Sequence, residues 1–343
     1  YPFPSPTKRS AAGSILCLPH FMFEPPESPA ARAPNLVSLF RFAVQTHLID
    51  RGKQTMTVSF FFQTLITGIS NGMVAYLMVA GVSLIISGMN MVNFGQGAFY
   101  VLGTYLTYTI AAKFGFIPAL IIVPLIVAGI GYFVEKATRP LFGKNMLYIM
   151  LLTYGVAYMI CDIMVMIWGY SIRLLALPKF LQGGVQLFGI NFPVYYLFEI
   201  GVAAAIAFAF WYMINRTKLG MLTRAIISDR PMVANLGVNV NQMFSILFMI
   251  GIGIAGLGGV LNAPITGQSP KEGLSVFGNV MPILVIGGLR NMDGCLPAAL
   301  LVGLVNAFGA IYLPQYYNVL PAALMVIAMA INPQGLFTKK EAR

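Results

Sequence analysis

The sequence predicts an all-α fold, a polytopic transmembrane helix bundle of about eight or nine spans, and three observations predict it. The 343-residue chain is 58% hydrophobic and only 9% charged, where soluble domains are roughly a quarter charged. No Asp, Glu, Lys or Arg occurs from Thr57 to Ala112, from Pro231 to Pro270 or from Gly294 to Thr338. Each of these runs holds about two helices of roughly 20 residues, the length that crosses a bilayer core.

The first 34 residues carry eight prolines, which rules out a regular helix or strand there. Residues 1–55 are therefore expected to form a disordered extension, and since the membrane pattern starts at Met56, one hypothesis is that this extension lies upstream of the native protein. From there, apolar runs separated by breakers give nine segments: 60–87, 91–112, 116–134, 145–168, 192–214, 239–262, 274–289, 295–312 and 317–332. The transmembrane domain is thus 56–338, followed by a tail at 339–343.

Charge orients the bundle. The segment "EKATRPLFGK" holds Lys136, Arg139 and Lys144 against Glu135, and the segment after the fifth span holds Arg216, Lys218, Arg224 and Arg230 against Asp229. Two spans separate these loops, so both face one side, and their excess of Lys and Arg makes that side cytoplasmic. The tail then lies inside and the first span starts outside. The net charge of +11 is spread over short inter-helical gaps with no basic stripe, so nucleic acid is not an expected partner, whereas the lipid membrane is.

Several chemistries are excluded. Cys17, Cys161 and Cys295 are far apart, and both histidines, His20 and His47, precede the first span. No zinc, haem or disulfide framework follows, so neither a metal nor any other cofactor is expected. The two Gly-Lys pairs, Gly52-Lys53 and Gly143-Lys144, are followed by Gln54 and Asn145 rather than Ser or Thr. A phosphate-binding loop is therefore missing, and the chain is expected to be no enzyme and to hydrolyse no ATP by itself.

The longest polar interruption is "RTKLGMLTRAIISDRPMVANLGVNVNQ", residues 216–242. Ser228 or Asp229 can cap a short helix, "RPMVANL", with Pro231 in its first turn and Gly237 as its stop. Such a helix is either a connector or a docking plug with the apolar residues Met232, Val233 and Leu236.

The pattern Arg216, Thr217, Gly220, Arg224, Ala225, Asp229, Arg230 and Gly237 to Val240 resembles the cytoplasmic coupling loop of permease subunits in bacterial branched-chain amino acid ABC importers. "GVSLIISGMNMVNFGQGAFYVLGTYL", "EKATRPLFGK" and "NPQGLF" agree in order and spacing, so the resemblance covers roughly residues 60 to 339. It implies a multi-pass permease of the bacterial plasma (inner) membrane with a cytoplasmic coupling helix. It also implies three partners: ATP-binding cassette subunits, a second permease as homo- or heterodimer, and an extracytoplasmic solute-binding protein. Arg216, Lys218, Gly220, Arg224, Ala225, Asp229, Arg230 and Gly237 would carry the coupling. Related permeases serve urea and short amides, which leaves that substrate class as an alternative. In two places the chain departs from the family: Gln96 stands where many relatives have histidine, and Pro231 where they usually have an acid.

Pathway candidates are Asn71, Asn90, Asn93, Gln96 and Asp162. The amides cluster among glycines, which allows two readings: interrupted helices whose ends face a solute, or close helix contacts bonded by amides. Gly251, Gly253, Gly256, Gly258 and Gly259 form a packing face. Asp162 and Glu199 are the acids inside spans, and both should face protein or water. Glu199 is expected near the outer interface and Asp162 further in, where it would serve a single-chain ion-coupled transporter as the alternative mechanism. An electron-transfer subunit is a third reading, which the placement of the histidines disfavours.

Overall fold

The structure, a computed structural model, describes residues 58–141, 146–178, 181–187, 190–317 and 319–338. The expectations for residues 1–55, the start at Met56, Lys144 and the tail at 339–343 lie outside those residues. Each of the nine predicted segments forms a helix, in order α1 (Val58–Met89), α2 (Gln96–Phe114), α3 (Phe116–Thr138), α4 (Met146–Trp168), α5 (Val194–Arg216), α8 (Val240–Asn262), α9 (Gly273–Gly287), α10 (Met292–Tyr312) and α11 (Leu320–Ile331). Between α5 and α8 lie two further short helices, α6 (Lys218–Ser228) and α7 (Arg230–Asn235). A hairpin before α5, β1 (Gly184–Leu187) antiparallel to β2 (Ile190–Pro193), interrupts the otherwise helical chain, with Gly184 opposite Pro193.

Six of the nine helices, α1, α3, α4, α5, α8 and α10, are long and apolar enough to cross a membrane. The other three depart from the expected eight or nine full spans for physical reasons. The twelve residues of α11 reach about 18 Å and the fifteen of α9 about 22 Å, short of the roughly 30 Å hydrocarbon core. The first twelve residues of α2 include eleven that are buried or nearly so, among them Gln96, Thr104 and Tyr105, so protein rather than lipid surrounds it.

At the centre of the bundle, α8 packs against α1, α2 and α3. Its glycines make this possible: a side chain at Gly251 would strike the Gly81 carbonyl of α1, at Gly256 the Val127 side chain of α3, and at Gly259 the Tyr100 carbonyl of α2. Small residues let helix backbones approach, which is the source of cohesion where lipid is as apolar as the core. On the other side of α1, Gly68 and Gly72 admit α10 in the same way.

The predicted second span starts late. Residues 90–95 are not helical, and Gln96, the first residue of α2, donates its Nε2 to the Gly251 carbonyl at 2.8 Å, halfway along α8. The chain therefore climbs from the end of α1 to mid-bundle as irregular, non-helical backbone. Such backbone is tolerated at membrane depth only when protein surrounds it. Asn93 satisfies part of it by accepting from the Gly95 N–H at 2.9 Å.

The two intramembrane acids face differently. The buried stripe of α5 is Tyr195, Glu199, Ala203, Ala207 and Phe210, a spacing of about one turn. Glu199 falls in it and is 1% exposed, accepting a hydrogen bond from Ser70 of α1. The stripe of α4 is Ile149, Thr153, Ala157, Ile160, Cys161 and Met164. Asp162 lies off that stripe and is exposed.

Candidate functional site: a helical elbow and an amide-lined cleft

The elbow is built by the residues that the sequence pattern singles out. At the end of α5 the chain turns through Thr217, which is extended with φ of −107° and ψ of 164°, and α6 folds back against the last turn of α5. Gly220 makes this possible, because a Cβ there would overlap the Ile214 carbonyl. Arg224, one turn further on, donates from Nη1 to that same carbonyl at 2.6 Å, satisfying an acceptor that the end of α5 leaves open. Both residues thus fix the angle between the two helices, while Ala225 is half-buried beneath them and Arg216 and Lys218 are exposed.

Asp229, rather than Ser228, then caps α7, accepting from the Met232 N–H at 3.0 Å with Pro231 in the first turn. Gly237 ends the helix in the left-handed region at φ of +84°, which a side chain would strain. Pro231 thus sits where its missing N–H costs little. Asn239 caps α8 by accepting from the Gln242 N–H at 3.2 Å, so the elbow leads directly into the central helix.

The apolar face of α7 is divided. Val233 is buried against the bundle, whereas Met232 is 59% and Leu236 73% exposed, one turn apart on the outer side. The expected plug of three residues is therefore a knob of two. Exposed Arg230 flanks it, its guanidinium 4.9 Å from the Phe244 ring centre.

The opposite end of the bundle holds a cleft of about 730 Å³ between α1, α9, α10 and α11. Its polar lining is neutral: Gln63, Thr67 and Asn71 of α1, Asn279 of α9 and Asn306 of α10. One wall lies near the start of α1, a helix of 32 residues and about 48 Å whose other end meets α6 through Gly88 and Thr223. The volume falls within the roughly 300 to 1,000 Å³ of small-molecule sites, and convergent uncharged donors and acceptors suit a solute that must bind and then leave.

Of the pathway candidates, Asn71 alone lines this cleft. Asn93 and Gln96 are buried and bonded to each other at 3.4 Å, serving the broken start of α2. Asn90 lies at the elbow end with φ of +55° and accepts from Arg290. Asp162 is on the exposed side of α4. Gln63, Thr67, Asn279 and Asn306 were not singled out from the sequence. The signal that could have found Asn279 is its place between Gly278 and Pro282 in a short apolar helix.

Comparison with known proteins identifies the family of the chain. The family described as branched-chain amino acid transport system, permease component, matches residues 64–329. The high-affinity branched-chain amino acid transport system permease protein BraD of Pseudomonas aeruginosa is 25% identical over 299 residues, which is 82% of this chain and 97% of that protein. LivH of Escherichia coli K12, described in the same terms, is 24% identical over 82% of this chain and 97% of its own length. The probable branched-chain amino acid transport permease LivH of Methanocaldococcus jannaschii is 24% identical over 76% of this chain and 87% of its own.

Proposed function

The chain belongs to the permease component family of branched-chain amino acid transport systems, and from that premise we propose that it is the membrane subunit of an ATP-binding cassette importer for Leu, Ile, Val or a similar apolar amino acid. The observation that carries this reading is the α6–α7 elbow: two exposed apolar residues, Met232 and Leu236, on a helix capped by Asp229 and stopped by Gly237. An ATP-binding subunit on the cytoplasmic face seats this knob in an apolar groove, and its closing rotates α7. Because only four residues separate α7 from α8 and Asn239 caps α8, the rotation reaches the helix against which α1, α2 and α3 pack.

The amide-lined cleft receives solute from an extracytoplasmic binding protein. A second permease, identical or related, closes it from outside. Its neutral lining holds an amino acid through hydrogen bonds without trapping it by charge. Chemical energy enters through the partner, and this chain supplies path and hinge. The ion-coupled alternative would need Asp162 in an interior path, and its exposed position on α4 gives that alternative no support.

The test is co-purification and uptake. The wild-type chain should retain its ATP-binding subunit through detergent purification and support ATP-dependent leucine uptake in vesicles. Leu236→Asp should lose both while the permease itself stays folded. Retention of the partner by that variant would refute the docking role of α7.

A further inference from the structure

At the elbow end, a pocket of about 370 Å³ lies where the end of α1, the start of α4, the α6–α7 elbow and the α9–α10 turn meet. Two arginines from different segments line it, Arg230 of α7 and Arg290 of the α9–α10 turn. The remaining walls are mostly apolar, including Met89, Met146, Ile149 and Phe244. Each guanidinium is held by an uncharged neighbour: Arg290 donates to the Asn90 side chain, and Arg230 lies 4.9 Å from the Phe244 ring centre. Among the described residues no acid lines the pocket, and the single ion pair is Arg139 with Glu135, elsewhere.

Two guanidinium groups, both solvent-accessible, stand beside one mostly apolar pocket, and guanidinium pairs carboxylates in a fork of two hydrogen bonds. The volume is that of a small-molecule site. The chemistry therefore selects a small carboxylate with an aliphatic tail. A delivered amino acid emerging at the cytoplasmic face has both.

We propose that this pocket binds the released product, carboxylate to Arg230 and Arg290 and side chain to the methionine and isoleucine wall, and that occupancy fastens α7 to the α9–α10 turn and slows the ATP-driven cycle. The inference rests on the importer reading. With no acid to hold an ammonium group, that group faces water, so isocaproate, the leucine skeleton without its amine, should act as leucine does. Leucinamide, which lacks the carboxylate, should not.

The experiment measures ATP hydrolysis by the complete transporter in phosphatidylcholine nanodiscs, stimulated by loaded binding protein. Leucine and isocaproate at the cytoplasmic face should lower the stimulated rate by more than half, and leucinamide should leave it unchanged. Arg290→Gln should keep the uninhibited rate and lose the inhibition. Binding of radiolabelled isocaproate to the purified full chain, absent in Arg290→Gln and weakened in Asn90→Ala, provides a readout that needs no turnover. Stimulated hydrolysis that ignores isocaproate overturns this inference and leaves the importer reading intact. A complex that loaded binding protein fails to stimulate overturns both. Isocaproate binding that phosphatidylglycerol nanodiscs abolish identifies a lipid headgroup site and overturns the product assignment.

Discussion

Ser245 of α8 donates its hydroxyl to Glu135 of α3 at 2.8 Å, and Arg139 closes the triangle by donating to both, to Ser245 at 2.7 Å and to Glu135 at 3.0 Å. Glu135 is fully buried, and these partners satisfy its carboxyl oxygens. The triangle joins the final turns of α3 to the start of α8, immediately beyond the elbow. The family-like segment "EKATRPLFGK" thus has a structural role: it ties α3 to the helix that the elbow drives.

Ser245→Ala should destabilise the chain by about 1–3 kcal/mol, the usual result of leaving a buried polar partner unsatisfied. A lower thermal midpoint in detergent measures it. Ser245→Thr, which keeps the hydroxyl, should recover most of the loss. A midpoint equal to wild type in the alanine variant would show that the triangle does not hold α3 to α8.

Gly220→Val should break the elbow, since its side chain would enter the space of the Ile214 carbonyl. Overpacking of this kind costs about 1–3 kcal/mol. Here the cost falls on one angle, so ATP hydrolysis should lose its response to loaded binding protein before the bundle unfolds. Stimulation surviving in a folded Gly220→Val complex would contradict that role for the glycine.

Leu236→Asp and Met232→Asp should each weaken retention of the ATP-binding subunit. A buried anchor in a protein interface is typically worth about 2 kcal/mol or more, a loss of roughly 30-fold in affinity. Lys218→Ala, at an exposed site on the elbow, should cost far less. Equal losses at all three positions would mean that charge rather than the apolar knob makes the contact.

Glu199→Gln should fold and transport close to wild type, because an amide oxygen still accepts from Ser70. Glu199→Leu should lose stability by about 1–3 kcal/mol, since the Ser70 hydroxyl then has no buried acceptor. If the glutamine variant abolishes uptake in a stable protein, Glu199 has a charge-dependent role beyond packing.

The helices were legible because lipid-length apolar runs and their breakers follow from elementary solvation, and the ends of α7 were legible because Asp229, Pro231 and Gly237 act locally. The α6 helix was missed: its polar residues Lys218, Thr223 and Arg224 read as loop, and it is helical because it folds onto α5 at Gly220. Facing was the hard part. In a chain apolar toward both lipid and core, composition does not say which side of a helix turns inward, so the burial of Glu199 and the exposure of Asp162 were not legible. The late start of α2 was hidden for a similar reason, since Met91, Val92 and Phe94 continue the apolar pattern while their backbone is not helical. Gln63, Asn279 and Asn306 lie on three different helices, and only their packing brings them to one cleft.

The most direct test of the account is leucine uptake into proteoliposomes loaded with ATP, comparing the purified chain alone, the chain with its ATP-binding subunit and binding protein, and the same complex carrying Leu236→Asp. Concentrative uptake should occur in the complete wild-type complex and in neither of the others. Accumulation of leucine against a gradient by the chain alone would contradict it.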